Sequence, residues 1–350
     1  MLKDSAYRLL DATANRAGEA LRVIEDYARF ILDDAHLTAE WKRLRHDLTA
    51  VLQPIPMSTR CAMRETECDV GASLSVPEER KRNNVGELAR ANVSRLQQSL
   101  RSLEETAKLI DADLAAECES LRYRSYTVAA AMETTQDSRL RLESVHLCVL
   151  VDGCSSTDNF RSLVQSLIKV GVGAIQLRDK SANDRDLLER SRLLSELTAD
   201  HRTLSLINDR ADLAVLAGVD GVHVGQTDCP VRAVRRIVGA DRLIGVSTHS
   251  IEQARQAVLD GANYLGVGPV FPSQTKSFES FPGPALLEQV AREISLPSFA
   301  IGGIDQQNAA LVIESGFHRL AVASAVTAAS DPAQAVAQLR ELLEVSATSR

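Results

Sequence analysis

From Val145 onward, almost every apolar run of strand type ends in a polar or glycine-rich cluster. The clusters read Gln176-Leu177-Arg178-Asp179-Lys180, Asn208-Asp209, Gly225-Gln226-Thr227-Asp228 and Ser247-Thr248-His249. Pro272-Ser273-Gln274-Thr275-Lys276, Ile301-Gly302-Gly303-Ile304 and Ala323-Ser324-Ala325 follow. Arg178 and Lys180, with the Gln176 amide, suit a polyanion such as pyrophosphate. A solvated pair of rim charges has the same composition. Asp209 and Asp228 suit a Mg²⁺ ion that keeps waters and grips a phosphate. Helix N-capping is the competing reading, and Asp228, just before Cys229-Pro230, is placed to do both.

Ser273, Thr275 and Lys276 put hydroxyls and a cation in a proline-bounded loop of the kind that covers an anionic substrate. Gly302-Gly303 and Ala323-Ser324 offer backbone N–H groups to a phosphate monoester. Two phosphate-type subsites emerge. Ser247 and His249 lie between them in strand order, with no nucleophile–base pair of hydrolytic type nearby. His223 reads as a barrel-interior residue. The layout suggests pyrophosphate leaving one substrate while a second, phosphorylated one waits beside it.

Such residues need a scaffold that brings strand ends together. Strands are expected at 145–151, 174–177, 204–207, 221–224, 243–247, 264–270, 298–301 and 319–323. Helices are expected at 159–170, 183–200, 210–217, 230–238, 250–260, 284–294, 306–315 and 331–345. Gly171, Gly218, Gly261 and Gly316 fall where helices should end. Eight β/α units in about 200 residues fit a (β/α)₈ barrel, an α/β fold whose site lies at the C-terminal strand ends. A doubly wound open sheet fits less well, because no reversal of strand order is needed.

The first part of the chain has helical periodicity and little strand signal. Leu21, Ile24, Ala28 and Ile31 form one stripe, and Asp11 or Thr13 can cap its helix. Gln53-Pro54-Ile55-Pro56 and a stretch from about Asp69 to Pro77 read as loops, and the helical pattern ends near Thr135-Gln136-Asp137-Ser138. Arg16-x-x-Glu19-x-Leu21-Arg22-x-Ile24-Glu25 matches Arg95-x-x-Gln98-x-Leu100-Arg101-x-Leu103-Glu104, 79 positions later. A duplicated helical hairpin and the shared use of good helix formers explain this equally well. The expected division is an all-α domain over 1–138 and a TIM barrel over 139–350.

Length, 350 residues, suits two domains, and 45% apolar content is ample for their cores. With only 4% aromatics, those cores must be aliphatic. A net charge of −7 argues against nucleic-acid binding while permitting a local basic pocket. There is no apolar run long enough for a membrane span, and Met1-Leu2-Lys3-Asp4-Ser5 lacks a signal core. Six scattered cysteines form no C-x-x-C pair. A reducing, cytoplasmic setting is expected, and Cys61 and Cys68 are a weak disulfide candidate.

Together the motifs between about residues 144 and 346 resemble thiamine phosphate synthase. They include Ile207-Asn208-Asp209-Arg210, Gly221-Val222-His223-Val224-Gly225-Gln226-x-Asp228, Gly245-Val246-Ser247 and Gly268-Pro269-Val270-Phe271-Pro272. That family joins 4-amino-2-methyl-5-(diphosphooxymethyl)pyrimidine to a thiazole phosphate and releases pyrophosphate. The resemblance implies that Gln176, Leu177, Arg178, Asp179, Lys180, Asn208, Ser247 and Lys276 meet the pyrimidine diphosphate. It places Ser273, Thr275, Gly303, Ala323 and Ser324 on the thiazole phosphate, and Asp209 and Asp228 on Mg²⁺. Arg178, Lys180, Ser247 and Lys276 would act in catalysis, with C–O ionisation preceding attack by the thiazole nitrogen. Ser273, Asp179 and Ala323 depart mildly from the family's usual Thr, Glu and Ile or Val.

Arg8-Leu9-Leu10-Asp11-Ala12-x-x-Asn15-Arg16-Ala17-x-Glu19-x-Leu21-Arg22, with Cys68-Asp69-Val70-Gly71 and Ala91-Asn92, is similar to a helical domain fused to some members. That domain is assigned as a hydroxymethylpyrimidine phosphate kinase, which implies ATP as a further ligand. Residues 1–138 hold no glycine-rich phosphate loop, and a structural or dimer-forming role fits the same charged faces. A thiazole tautomerase shares the barrel but needs neither Mg²⁺ nor pyrophosphate contacts. A non-enzymatic precursor-binding scaffold is the remaining alternative, and the oligomeric state, a homo-oligomer included, is open.

Overall fold

The computed structural model describes residues 2–62, 82–272 and 282–348. The chain forms two compact units, Met1–Met132 and Glu133–Arg350. The first holds α1 (Leu2–Phe30), α2 (Ala35–Val51), α3 (Met57–Ala62), α4 (Val85–Ala107) and the start of α5 (Ala112–Arg141).

In the helical unit α1 packs against α4 and α2. Leu21, Ile24 and Ala28 are buried as expected, but Ile31 lies beyond the helix end and is exposed. Neither Asp11 nor Thr13 caps a helix. Both sit inside α1, where the Thr13 hydroxyl donates to the Leu9 carbonyl one turn back (2.7 Å). Helix α5 continues past Thr135–Ser138 to Arg141. Polar side chains do not end a helix without a glycine, a proline or a competing cap, and α5 has no glycine or proline. Ser138 is instead fully buried, its hydroxyl receiving a hydrogen bond from Asn263 (3.1 Å).

The 79-residue repeat has a structural counterpart. Glu25 on α1 accepts a hydrogen bond from Arg45 Nε on α2 (2.7 Å). Its equivalent on α4, Glu104, accepts one from Arg122 Nε on α5 (2.8 Å). Each repeat helix thus presents a largely buried carboxylate to an arginine of the helix after the next connection. The two arginines lie 77 rather than 79 positions apart, so the pairings are alike in kind without matching position by position. Cys68 and the stretch 69–77 lie outside the described residues, so the loop and disulfide expectations there do too.

The second unit is a closed barrel of eight parallel strands in sequence order. They are β1 (Leu147–Val151), β2 (Ala174–Leu177), β3 (Leu204–Asn208), β4 (Gly221–Val224), β5 (Leu243–Thr248), β6 (Tyr264–Val267), β7 (Ser298–Ile301) and β8 (Leu320–Val322). Closure comes from β1, which pairs with both β2 and β8. The intervening helices are α6 (Thr157–Lys169), α7 (Asp184–Thr198), α8 (Ala211–Ala217), α9 (Val231–Val238), α10 (Ile251–Leu259), α11 (Gly283–Glu293) and α12 (Ala309–Glu314). After β8 come α13 (Ser324–Thr327), which the sequence reading lacked, and α14 (Pro332–Thr348).

Alternation along each strand sends one set of side chains inward and the other against the helices. The lower interior is filled by Leu142, Val145, Cys148, Ala174, Leu206, Leu243, Tyr264, Phe299 and Ala321. Gly171, Gly218, Gly261 and Gly316 all take positive φ just after helices, as anticipated. The sixth strand stops at Val267 rather than 270, because Pro269 has no N–H to continue a ladder. Among the described residues no helix is long and apolar enough to cross a membrane.

Candidate active site

A cavity of ≈ 530 Å³ opens at the C-terminal ends of the barrel strands. On β2 the inward residue is Gln176, whose Nε2 donates to Asn208 Oδ1 at the end of β3 (3.0 Å). Both line the cavity, with Arg178 and Lys180 just beyond the strand. Leu177 does not. It alternates to the opposite face and is fully buried, so the sequence expectation of a substrate contact is not met by its side chain.

Asp179 lines the cavity, but its carboxylate is occupied by the protein. One oxygen accepts from Ser181 N (2.9 Å), Ser181 Oγ (2.7 Å) and Ala182 N (3.0 Å). The other accepts from Gly153 N (3.1 Å) and Arg190 (3.3 Å). Burial alone would raise its pKa, but the bonds from Ser181, Ala182 and Gly153 hold it below the ordinary carboxylate value. This carboxylate pins the β2–α7 loop that carries Arg178 and Lys180.

Asp209 and Asp228 come together from the ends of β3 and β4. Neither caps a helix: the cap positions of α8 and α9 are Arg210 and Pro230, and neither makes a side-chain cap bond. Asp228 instead accepts from Gly225 N (2.7 Å), closing the turn after β4. Asp209 takes φ 61°, a left-handed conformation tolerated by Asp, while its N–H bonds the His223 carbonyl (2.8 Å). Burial, then the facing Asp228 carboxylate, pushes the Asp209 pKa above its usual value, and Lys180 and Arg178 partly oppose this. Two carboxylates in hydrogen-bonding reach of each other make a ready pair of oxygen donors for a divalent cation. They sit beside the cavity rather than in its lining.

Ser247 ends the inward face of β5. Its hydroxyl meets His223 Nε2 from β4 (2.9 Å), and its carbonyl accepts from Gln226 Nε2 (2.6 Å). The sequence reading placed no base near Ser247, and the structure corrects this by bringing His223 there. That imidazole is nevertheless a poor base. Burial, then the charge of Arg178, lowers its pKa to about 4, and Nδ1 faces the Tyr264 hydroxyl rather than a carboxylate. His249 also lines the cavity and contacts the Gly268 carbonyl through Nδ1 (2.5 Å).

Across the cavity lie Gly302, Gly303, Ala323 and Ser324. Gly302 (φ 105°) and Gly303 (φ 64°) are sterically required. A Cβ on Gly302 would lie 2.7 Å from Pro269 Cα, and one on Gly303 would lie 2.5 Å from the Pro272 carbonyl oxygen. Phe271 N donates to Gly302 O (3.0 Å), holding the sixth and seventh loops together. Ser273, Thr275 and Lys276 lie outside the described residues. Sequence reasoning missed Asp152, Pro269 and Thr327 in the lining, and gave His223 and Tyr264 no role. The interior position read for His223 is borne out, as period-two alternation in Gly221-Val222-His223-Val224 turns it inward between two helix-facing valines, but its contact with Ser247 was not anticipated.

The neutral, buried His223 yields a pH test of this geometry. Its folded pKa of about 4 lies below the ordinary 6.5, so the unfolded chain binds the extra proton more readily. Its contribution to stability is present above pH 6.5 and is lost as pH falls toward 4. Thermal unfolding should therefore show a shallower fall in Tm across that window for His223→Gln than for the parent. Equal slopes would place the titrating group elsewhere.

The family model described as thiamine monophosphate synthase matches residues 147–326, and that of the ThiD2 family matches residues 8–131. A thiamine-phosphate synthase of Rhodopirellula baltica is 43% identical over 346 residues, covering 96% of this chain and 92% of that protein. One from Thermosynechococcus vestitus is 39% identical over 340 residues, covering 96% and 93%. Among solved structures, the thiamine phosphate pyrophosphorylase of Pyrococcus furiosus superposes with a TM-score of 0.53 at 32% identity. It covers 59% of this chain and 98% of that one. A family match over most of the barrel and near full-length identity of about 40% to thiamine-phosphate synthases show that the chain belongs to the thiamine-phosphate synthase family.

Proposed function

We propose that the barrel is a transferase that joins the pyrimidine diphosphate to a thiazole phosphate, giving thiamine phosphate and pyrophosphate. One observation carries this reading. Arg178, Lys180 and the Asp209–Asp228 pair gather at neighbouring strand ends on one side, while Gly302-Gly303 and Ala323-Ser324 line the same cavity from other strands. A tautomerase would have no use for the first group. The near full-length similarity to thiamine-phosphate synthases supports the same choice.

Arg178 and Lys180, with Lys276 from the sixth loop, take the diphosphate and stabilise the negative charge that grows on it as the C–O bond breaks. Gln176, through its bond to Asn208, presents a fixed amide edge to the pyrimidine, and Ser247 meets the same ring. Gly303, Ala323 and Ser324, with Ser273 and Thr275, hold the thiazole phosphate so that its nitrogen faces the pyrimidine methylene. No protein base is needed to break the bond, which agrees with an imidazole at His223 too weak to serve as one. Asp209 and Asp228 fit a Mg²⁺ ion, because each carboxylate otherwise faces like charge. Bound there, the ion supplies electrostatic stabilisation to the leaving pyrophosphate.

We propose further that the helical unit phosphorylates hydroxymethylpyrimidine phosphate with ATP, a reading supported by its match to the ThiD2 family. Consecutive steps on one chain, and the charge and composition noted above, suit an enzyme of the cytoplasm.

Two assays on the full chain test these readings. With both substrates and Mg²⁺, pyrophosphate release should be readily measured and should fall at least about a hundredfold in Asp228→Ala, the scale of losing a principal charge-stabilising group. No release by the parent at saturating substrate would refute the synthase, and an unchanged rate in Asp228→Ala would refute its metal role. With ATP and the pyrimidine monophosphate alone, ADP and the diphosphate should form in equal amounts. Their absence would leave the helical unit without the kinase role.

A further inference from the structure

The barrel interior beneath the cavity contains a polar chain that substrate contacts do not account for. Tyr264 on β6, His223 on β4 and Ser247 on β5 come from three successive strands. The Tyr264 hydroxyl meets His223 Nδ1 (3.3 Å), and His223 Nε2 meets Ser247 Oγ (2.9 Å). Tyr264 is 4% exposed and His223 7% exposed, so both are out of bulk water. Only the far end, Ser247 with part of His223, reaches the cavity lining.

Space for this chain is cut into the sheet. A Cβ on Gly245 would lie 2.1 Å from Tyr264 Cζ and 2.4 Å from its hydroxyl oxygen. A Cβ on Gly266 would lie 3.0 Å from His223 Cε1. Gly245 pairs with both His223 and Tyr264 in register, and Gly266 pairs with Ser247. The two glycines therefore stand where side chains would displace the rings. The rings also pack together at 5.5 Å between centroids, and Phe299 closes the stack edge-on to Tyr264 at 5.6 Å. Glycine weakens a strand, so the sheet gives up two side chains to seat this pair of rings.

We infer that Tyr264 and His223 are positioning residues that fix the Ser247 hydroxyl toward the substrate. A neutral imidazole has one donor and one acceptor nitrogen. A phenol hydroxyl can donate or accept, so Tyr264 serves either tautomer; in both, it holds one ring nitrogen while the other is set against Ser247 Oγ and restricts its rotor. Gln226 holds the Ser247 carbonyl from the same β4 turn, so the backbone and the hydroxyl are oriented from one element. A hydroxyl that arrives with its rotor already set loses less entropy on meeting the reacting ring.

The inference rests on Ser247 being a substrate contact, so the test separates the two ideas. In the full chain, kcat and KM for the pyrimidine diphosphate are measured for Ser247→Ala, His223→Ala, His223→Gln, Tyr264→Phe and the doubles with Ser247→Ala. Losing one positioned hydrogen bond should lower kcat/KM by about five- to tenfold in His223→Ala. His223→Gln places an amide nitrogen near the position of Nε2 and should recover most of that loss. Tyr264→Phe keeps the ring beside Gly245 and reports on the hydroxyl alone, with a smaller loss. In the Ser247→Ala background neither His223→Gln nor Tyr264→Phe should slow the enzyme further. If Ser247→Ala is slow but the losses multiply in the doubles, the relay is overturned and the substrate contact stands. If Ser247→Ala keeps the parent kcat and KM, the substrate contact fails and the relay with it.

Discussion

Closure of eight parallel strands into one ring forces every strand to end on the same rim. This constraint turns positions far apart in sequence into neighbours. Gln176 and Asn208 share a hydrogen bond because β2 pairs with β3. Asp209 reaches Asp228 because β3 pairs with β4. Ser247 reaches His223 because β4 pairs with β5. The short segment from His223 to Asp228 is the hinge of the arrangement. It sends one side chain to β5, another to the Ser247 carbonyl, and a carboxylate back toward Asp209.

Electrostatics then divide the rim. On the β2–β4 side, the half-buried Asp209 and the exposed Asp228 face each other near Arg178 and Lys180, and a metal–pyrophosphate pair would satisfy both signs at once. On the β7–β8 side the polar groups are backbone amides and a hydroxyl, which would receive a monoester phosphate without importing another charge. Between them lies the His223–Ser247 pair, kept neutral by burial. A cationic intermediate formed there would meet no buried positive imidazole. That division favours departure of pyrophosphate and attack by a neutral ring nitrogen over acyl or hydrolytic chemistry.

Much of this was legible in the chain because barrel strands are short and their ends are chemically distinct from their middles. The spacing of apolar runs placed β2, β4 and β7 at their observed limits. What escaped involved contacts between elements. Nothing local to Asp179 shows that its carboxylate is spent on Gly153 and Arg190, and nothing local to Glu104 shows that Arg122 will meet it. The capping propensity of Asp11 and Thr13 was overridden by a longer helix, and the polar run at Thr135–Ser138 was absorbed into one. Leu177 was counted with its neighbours because the motif is contiguous, whereas alternation separates it from Gln176 and Arg178. The importance of Gly245 and Gly266 lies in the rings of other strands, which no spacing rule reveals.

The account stands on the claim that Asp209 and Asp228 form one metal site serving pyrophosphate. A crystal grown with Mn²⁺ and pyrophosphate, read by the manganese anomalous signal, tests this directly. The account predicts one peak within about 2.5 Å of oxygens from both carboxylates, bridged to a pyrophosphate that also meets Arg178 and Lys180. A fully occupied peak elsewhere on the barrel, with pyrophosphate bound and both carboxylates uncoordinated, would contradict it.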